Sequence, residues 1–193
     1  MKRIPVETLI KKLSILTAGL SNEVKENFSH LSNEQLYWKS NEKSWSIANI
    51  FEHLNAFYRY YIPVFNGKIA NTRFNQPTEN FTSSPMGRAA YRSVKLGKVN
   101  NVKRKLKSRK EYNPIFNDSL RSDYPITEFL DYQEQFKELL EKAKQVDLRK
   151  TKCPLSLRPV VKLNLGDSLL YLAYHTERHI YQAKHILDRL KTP

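Results

Sequence analysis

A single cysteine, Cys153, stands in the 193 residues, so no disulfide can form within the chain and a reducing compartment is expected. Glycine is almost as scarce, with five residues. There is no glycine-rich phosphate loop, which leaves a dinucleotide-binding fold without its usual signature. No stretch approaches the roughly 18 consecutive apolar residues of a membrane span. Lys11 and Lys12 interrupt the N-terminal "MKRIPVETLIKKLSIL" early, which reads against a signal peptide. No internal repeat is visible. These absences leave a soluble, cytoplasmic chain with no membrane partner. It is long enough to bury a core without disulfide or metal and reads as a single domain over 1–193.

Negative charge is also in short supply. Lys and Arg total 33 against 19 Asp and Glu, a formal net charge of +14. The excess is concentrated in "YRSVKLGKVNNVKRKLKSRK", residues 91–110, which holds nine basic residues and no acid. Such a run suits nucleic acid, an anionic membrane or an acidic small molecule, although runs of this kind are more often solvated basic loops. Tyr91 is its only aromatic. The stacking pattern of single-strand binders and any groove-reading motif are therefore missing. Polyanion binding through 91–110 stays as the alternative function.

What is plentiful is helical periodicity. Leu9, Leu13, Leu16 and Leu20, widened by Ile10 and Ile15, predict a first helix over about 5–29. The polar "SNEQLYWKSNEKSW" reads as a connection. A second helix starts near Ser46 with Ile47, Ile50, Phe51, Leu54, Phe57, Tyr58 and Tyr61 as its buried face, and is expected to weaken at Pro63 or end near Gly67. Residues 70–124 read as a long basic connection with a short helix near 86–96. Phe129, Tyr132, Phe136, Leu139, Leu140 and Ala143 mark a third long helix, capped by Thr127. Residues 147–167 are irregular or extended. A last helix follows over about 168–190, with Asp167 as its cap and Gly166 supplying backbone freedom before it. The fold class is all-α: an antiparallel four-helix bundle with a long irregular connection between helices 2 and 3.

The last helix contains "YHTERHIYQAKH", with three of the five histidines. His175 and His179 are one turn apart and only about 40° apart around the axis, so both imidazoles can address one ion. By itself the pair is equally an amphipathic helix that happens to carry histidines. The zinc-protease arrangements do not fit, because Thr176 follows the first histidine and Arg178 precedes the second where glutamate is needed. Glu177 lies on nearly the opposite side of the helix. His53, within the apolar stripe of the second helix, is the best candidate for a third ligand, although a lone histidine on an apolar face is more often a satisfied interior one. His185 falls about 120° from His179 and reads as a surface or edge histidine; His30, at the end of the first helix, is placed to cap carbonyls there. Gln182 and Tyr171 lie close to the His175 face and can line a pocket or orient a bound water; Gln182 also reads as an exposed amide, and Tyr171 as core. Trp45 is expected to anchor the second helix by packing, without a chemical role. Arg178 is expected to point away from the ligand face and to pair with an acid on a neighbouring helix.

"KSWSIANIFEHLNAF" and "LGDSLLYLAYHTERHIYQAKHIL" together resemble the DinB/YfiT-like superfamily of metalloenzymes, and "VKRKLKSRKEYNP" is similar to a Lys-rich segment of one branch. The resemblance runs over nearly the whole chain. It implies a four-helix bundle with a three-histidine site: His53 matches the family's first ligand, His175 and His179 the paired ones. It also implies open positions for water or substrate, and a divalent ion, zinc or nickel, as cofactor. Family members with assigned activities include thiol S-transferases using bacillithiol or mycothiol and a mycothiol-dependent isomerase. A metal-dependent transferase or hydrolase acting on a small-molecule substrate, with a low-molecular-weight thiol as co-substrate, is thus the leading expectation. Such thiols carry carboxylates that a cationic loop can hold. A non-catalytic metal-binding bundle is the remaining reading, and bundles of this kind often pair as homodimers through exposed apolar faces.

Overall fold

A computed structural model describes residues 3–97 and 107–191. The central part of the basic run, including Lys103, Arg104 and Lys105, lies outside the described residues. The chain is mostly helical. Six α-helices run over Val6–Asn27 (α1), Asn33–Tyr37 (α2), Ile47–Asn71 (α3), Pro85–Val94 (α4), Pro125–Ala143 (α5) and Leu165–Lys191 (α6). Helix α3 packs against α5 and α6, α1 packs against the same two, and α4 lies on α6. Their apolar stripes meet in one core that includes Leu9, Leu13, Phe51, Tyr58, Phe129, Phe136 and Leu172.

Two small antiparallel sheets depart from the all-α expectation. Ile4–Pro5 (β1) pairs with Asn80–Phe81 (β2), and Lys152–Leu155 (β3) pairs with Arg158–Asn164 (β4). The second pair places Cys153 and Leu163, both buried, opposite each other, with an irregularity at Pro154/Leu155. The segment expected to be irregular or extended is therefore a hairpin that tucks two apolar side chains against the helices.

Local chemistry explains where the helix ends differ from expectation. Ser46 and Asn49 form a reciprocal capping box at the start of α3, and Ser32 and Gln35 form another at α2. Helix α3 passes through Pro63 and Gly67 to Asn71. Pro63 frees the carbonyl of Arg59, but both residues face solvent, where water satisfies it, while Ile62 and Phe65 keep the buried stripe intact. Helix α5 begins at Pro125 rather than at a Thr127 cap, with proline in the first turn where its missing N–H costs least.

Asp167 is not the cap of α6, which already begins at Leu165. Its Oδ2 accepts from the Ser84 backbone N–H (3.0 Å) and hydroxyl (2.9 Å) and so ties the start of α4 to α6. A β-carbon on Gly87 would collide with that carboxylate. Gly166 is required for the same kind of reason: a β-carbon there would meet the Phe81 ring at 2.6 Å. Close approach, not backbone freedom, selects glycine at both positions. No helix among the described residues is long and apolar enough to cross a membrane.

Candidate metal centre

His53 projects from the second turn of α3, and His175 and His179 from successive turns of α6. A hydrogen bond between the Tyr58 hydroxyl and Thr176 Oγ1 (2.8 Å) joins the two helices one turn away and sets their relative position. The three imidazoles are buried, at 3, 5 and 9% exposure respectively. They form a cluster in which one nitrogen of each lies within 4.8 Å of the others. Sequence spacing identified the pair on α6; the fold brings His53 to it.

Hydrogen bonds select the ring tautomers. His53 Nδ1 lies 2.5 Å from the Tyr112 carbonyl oxygen. A carbonyl only accepts, so Nδ1 carries the proton and Nε2 of the neutral ring presents a lone pair. His179 Nδ1 lies 3.1 Å from Gln182 Oε1, which again assigns the proton to Nδ1 and leaves Nε2 bare. The Nε2 atoms of His53 and His175 are 3.4 Å apart, while His175 Nδ1 is buried without a hydrogen-bond partner among the described residues.

This donor set fits a divalent ion. Two nitrogens on one tetrahedral zinc, with bonds of about 2.0–2.1 Å, lie about 3.3 Å apart, close to the separation observed. A neutral imidazole offers one bare nitrogen, and three such rings with a nitrogen of each within 4.8 Å of the others suit a shared cation. Burial favours the unprotonated form that ligation requires. It lowers His53 to about 4, against a smaller opposing effect of the Tyr112 bond. It also drives His175 and His179 well below the usual histidine range, with neighbouring imidazoles and Arg178 adding to it.

The cluster forms part of the wall of a cavity of about 750 Å³. Aromatic rings brace it. Trp45 sits 4.8 Å from the His53 ring and stacks on His179 at 5.9 Å, and Phe57 lies 4.3 Å from His175 (centroid distances). Tyr171 stacks on His175 at 5.8 Å and lines the cavity; burial pushes its hydroxyl up to about 12. Trp45 is therefore in ring contact with two candidate ligands as well as anchoring α3, a role its packing position alone did not reveal. Its Nε1–H donates to Asn113 Oδ1 (3.0 Å). The segment 107–117 thus touches the centre twice, through the Tyr112 carbonyl and through Asn113. Both residues lie in "VKRKLKSRKEYNP", but neither contact is readable from it: one acceptor is backbone, and the other is an asparagine in a polar loop.

Arg178 requires the clearest correction. It is buried, 5% exposed, and lines the same cavity. On the α6 wheel it lies about 60° from His175 and about 20° beyond Tyr171, at the edge of the face shared by Tyr171, His175, His179 and Gln182. His185 is exposed at the cavity edge and does not belong to the cluster. Glu177 is half-buried and away from the cavity.

A model of the DinB superfamily matches residues 21–183. Comparisons with curated proteins and with solved structures find no match. The matched span includes all three clustered histidines, the whole of α3 and most of α6, and the chain belongs to the DinB superfamily.

Proposed function

We propose that this chain is a metal-dependent enzyme of the thiol S-transferase or hydrolase class. His53, His175 and His179 would hold a divalent ion, zinc or nickel, in a single domain built as an antiparallel four-helix bundle of α1, α3, α5 and α6. The observation that carries this reading is the convergence of three buried, neutral imidazoles on the wall of a substrate-sized cavity. A structural zinc site would close around four protein ligands; among the described residues no fourth carboxylate, thiol or imidazole joins the cluster. The side facing the cavity is left for water or substrate.

The chemistry supplied by a divalent ion on three neutral imidazoles is acidification of a water or a thiol that reaches it, giving a nucleophile at neutral pH. The protein's own groups fix the ligands. Gln182 holds His179 in the Nδ1–H tautomer, the Tyr112 carbonyl does the same for His53, and Trp45 and Phe57 shield the rings from water. The proposed substrate is a small molecule, with a low-molecular-weight thiol as co-substrate.

The test is a thiol-conjugation assay with an electrophilic acceptor, beside an ester-hydrolysis panel, on native, chelator-treated and remetallated protein. Turnover in one assay that disappears on chelation and returns with zinc or nickel is expected. Turnover that survives both chelation and His175→Ala would overturn the proposal, and metal binding without turnover would leave only the non-catalytic bundle.

A further inference from the structure

The cavity holding the histidines carries charge of one sign. Its walls include Lys43, Lys107, Arg109, Arg178 and Arg189, and no Asp or Glu among the described residues. Four of these bases are exposed; Arg178 alone is buried. Arg109 pairs with Glu111 at 3.0 Å, outside the lining, and also donates to the Leu157 carbonyl, so its position over the cavity is fixed. Arg178 directly precedes His179 on α6 and lines the same cavity as all three histidines. Five cations in a concave, partly apolar wall, one of them paired with Glu111, focus a positive potential and concentrate small anions. A guanidinium has the planar fork that matches two oxygens of one carboxylate or phosphate.

We propose that the cavity recognises a substrate bearing an oxyanion group, a carboxylate or a phosphate, which Arg178 holds beside the three histidines while the exposed bases at the opening draw it in. A cationic substrate is excluded, and a neutral one gains nothing from this lining. The proposal rests on reading the cavity as the active site, though not on which ion occupies the cluster.

The chain has two tryptophans, Trp38 and Trp45, and both line the cavity, so intrinsic fluorescence reports occupancy without a label. The zinc-loaded full chain is titrated with succinate, with inorganic phosphate and with the neutral diamide of succinate. A saturable response to at least one anion and none to the diamide is expected; saturation by only one of the anions assigns the group as carboxylate or phosphate. Arg178→Met should raise the anion Kd by about tenfold or more, with zinc content unchanged and partial recovery in Arg178→Lys. The exposed pair Arg109→Gln and Arg189→Gln, together in one protein, should weaken binding by about threefold and decides the matter if Arg178→Met does not fold. Equal titration by the diamide, no saturation by either anion, or parental binding in the variants that fold overturns the proposal. Repeating the titration on chelated protein keeps the two claims apart. Anion binding that depends on these arginines without zinc retention sinks the metal reading alone, and zinc retention without anion binding sinks this one.

Discussion

Gln182→Met should weaken metal binding even though Gln182 is not a ligand. The bond from His179 Nδ1–H to Gln182 Oε1, 3.1 Å long, is what reserves Nε2 for an ion. Methionine keeps the bulk and the helix propensity but cannot accept that proton. Losing an outer partner of a metal-bound imidazole typically costs about 10–100-fold in affinity. Gln182 is only half-buried, and water can replace part of the bond, so the lower end applies: about tenfold, or about 1.4 kcal/mol. Gln182→Glu reverses the sign, because a carboxylate is a stronger acceptor and makes the ring more basic. The assay is competition of the zinc-loaded protein against a chromophoric chelator of known affinity, with circular dichroism to confirm folding. Equal zinc affinity in the parent and both variants would refute the assigned tautomer and with it the geometry of the centre.

Three further outcomes follow from the same contacts. Chelated protein should lose stability as the pH falls below about 6.5. The unfolded histidines then take up protons while His53, near 4, and His175 and His179, well below the usual range, stay neutral in the fold. Stability is full above the unfolded pKa and falls by about 1.4 kcal/mol per pH unit for each such histidine, so urea midpoints flat from pH 7.5 to 5 would count against burial of the cluster. Cys153 is fully buried and its thiol is pushed up to about 12 by burial; a thiol reagent at pH 8 should label the unfolded chain and leave the native one nearly untouched, and rapid native labelling would contradict this. Gly87→Ala should destabilise by about 1–3 kcal/mol through the collision with Asp167. Gly19→Ala in α1, where nothing lies within 4 Å of the added β-carbon, should stabilise by about 0.5–1 kcal/mol; thermal melts of the two should move in opposite directions.

Much of the fold and of the metal centre is legible in the residues. Periodic apolar stripes mark the long helices, and Ser46 before "IANIF" marks a start that its capping box confirms. The i, i+4 spacing of His175 and His179 fixes their common face. What escapes depends on tertiary neighbours or on backbone atoms. Tyr112 contributes a carbonyl, so its side chain says nothing about the bond to His53. Asp167 looks like a helix cap until the start of α4 is seen tied to it. Pro63 looks like a terminator by its type alone, although it lies one turn after Arg59 and outside the buried stripe, where both are exposed. Arg178 is expected to point away from the ligand face, yet it is buried among the cavity residues.

Metal analysis of the native protein tests the three-histidine centre most directly. The expected result is roughly one divalent ion per chain in the parent and loss of that ion in a folded variant carrying His175→Ala together with His179→Ala. Equal metal contents in the two proteins, or none in either, would contradict it.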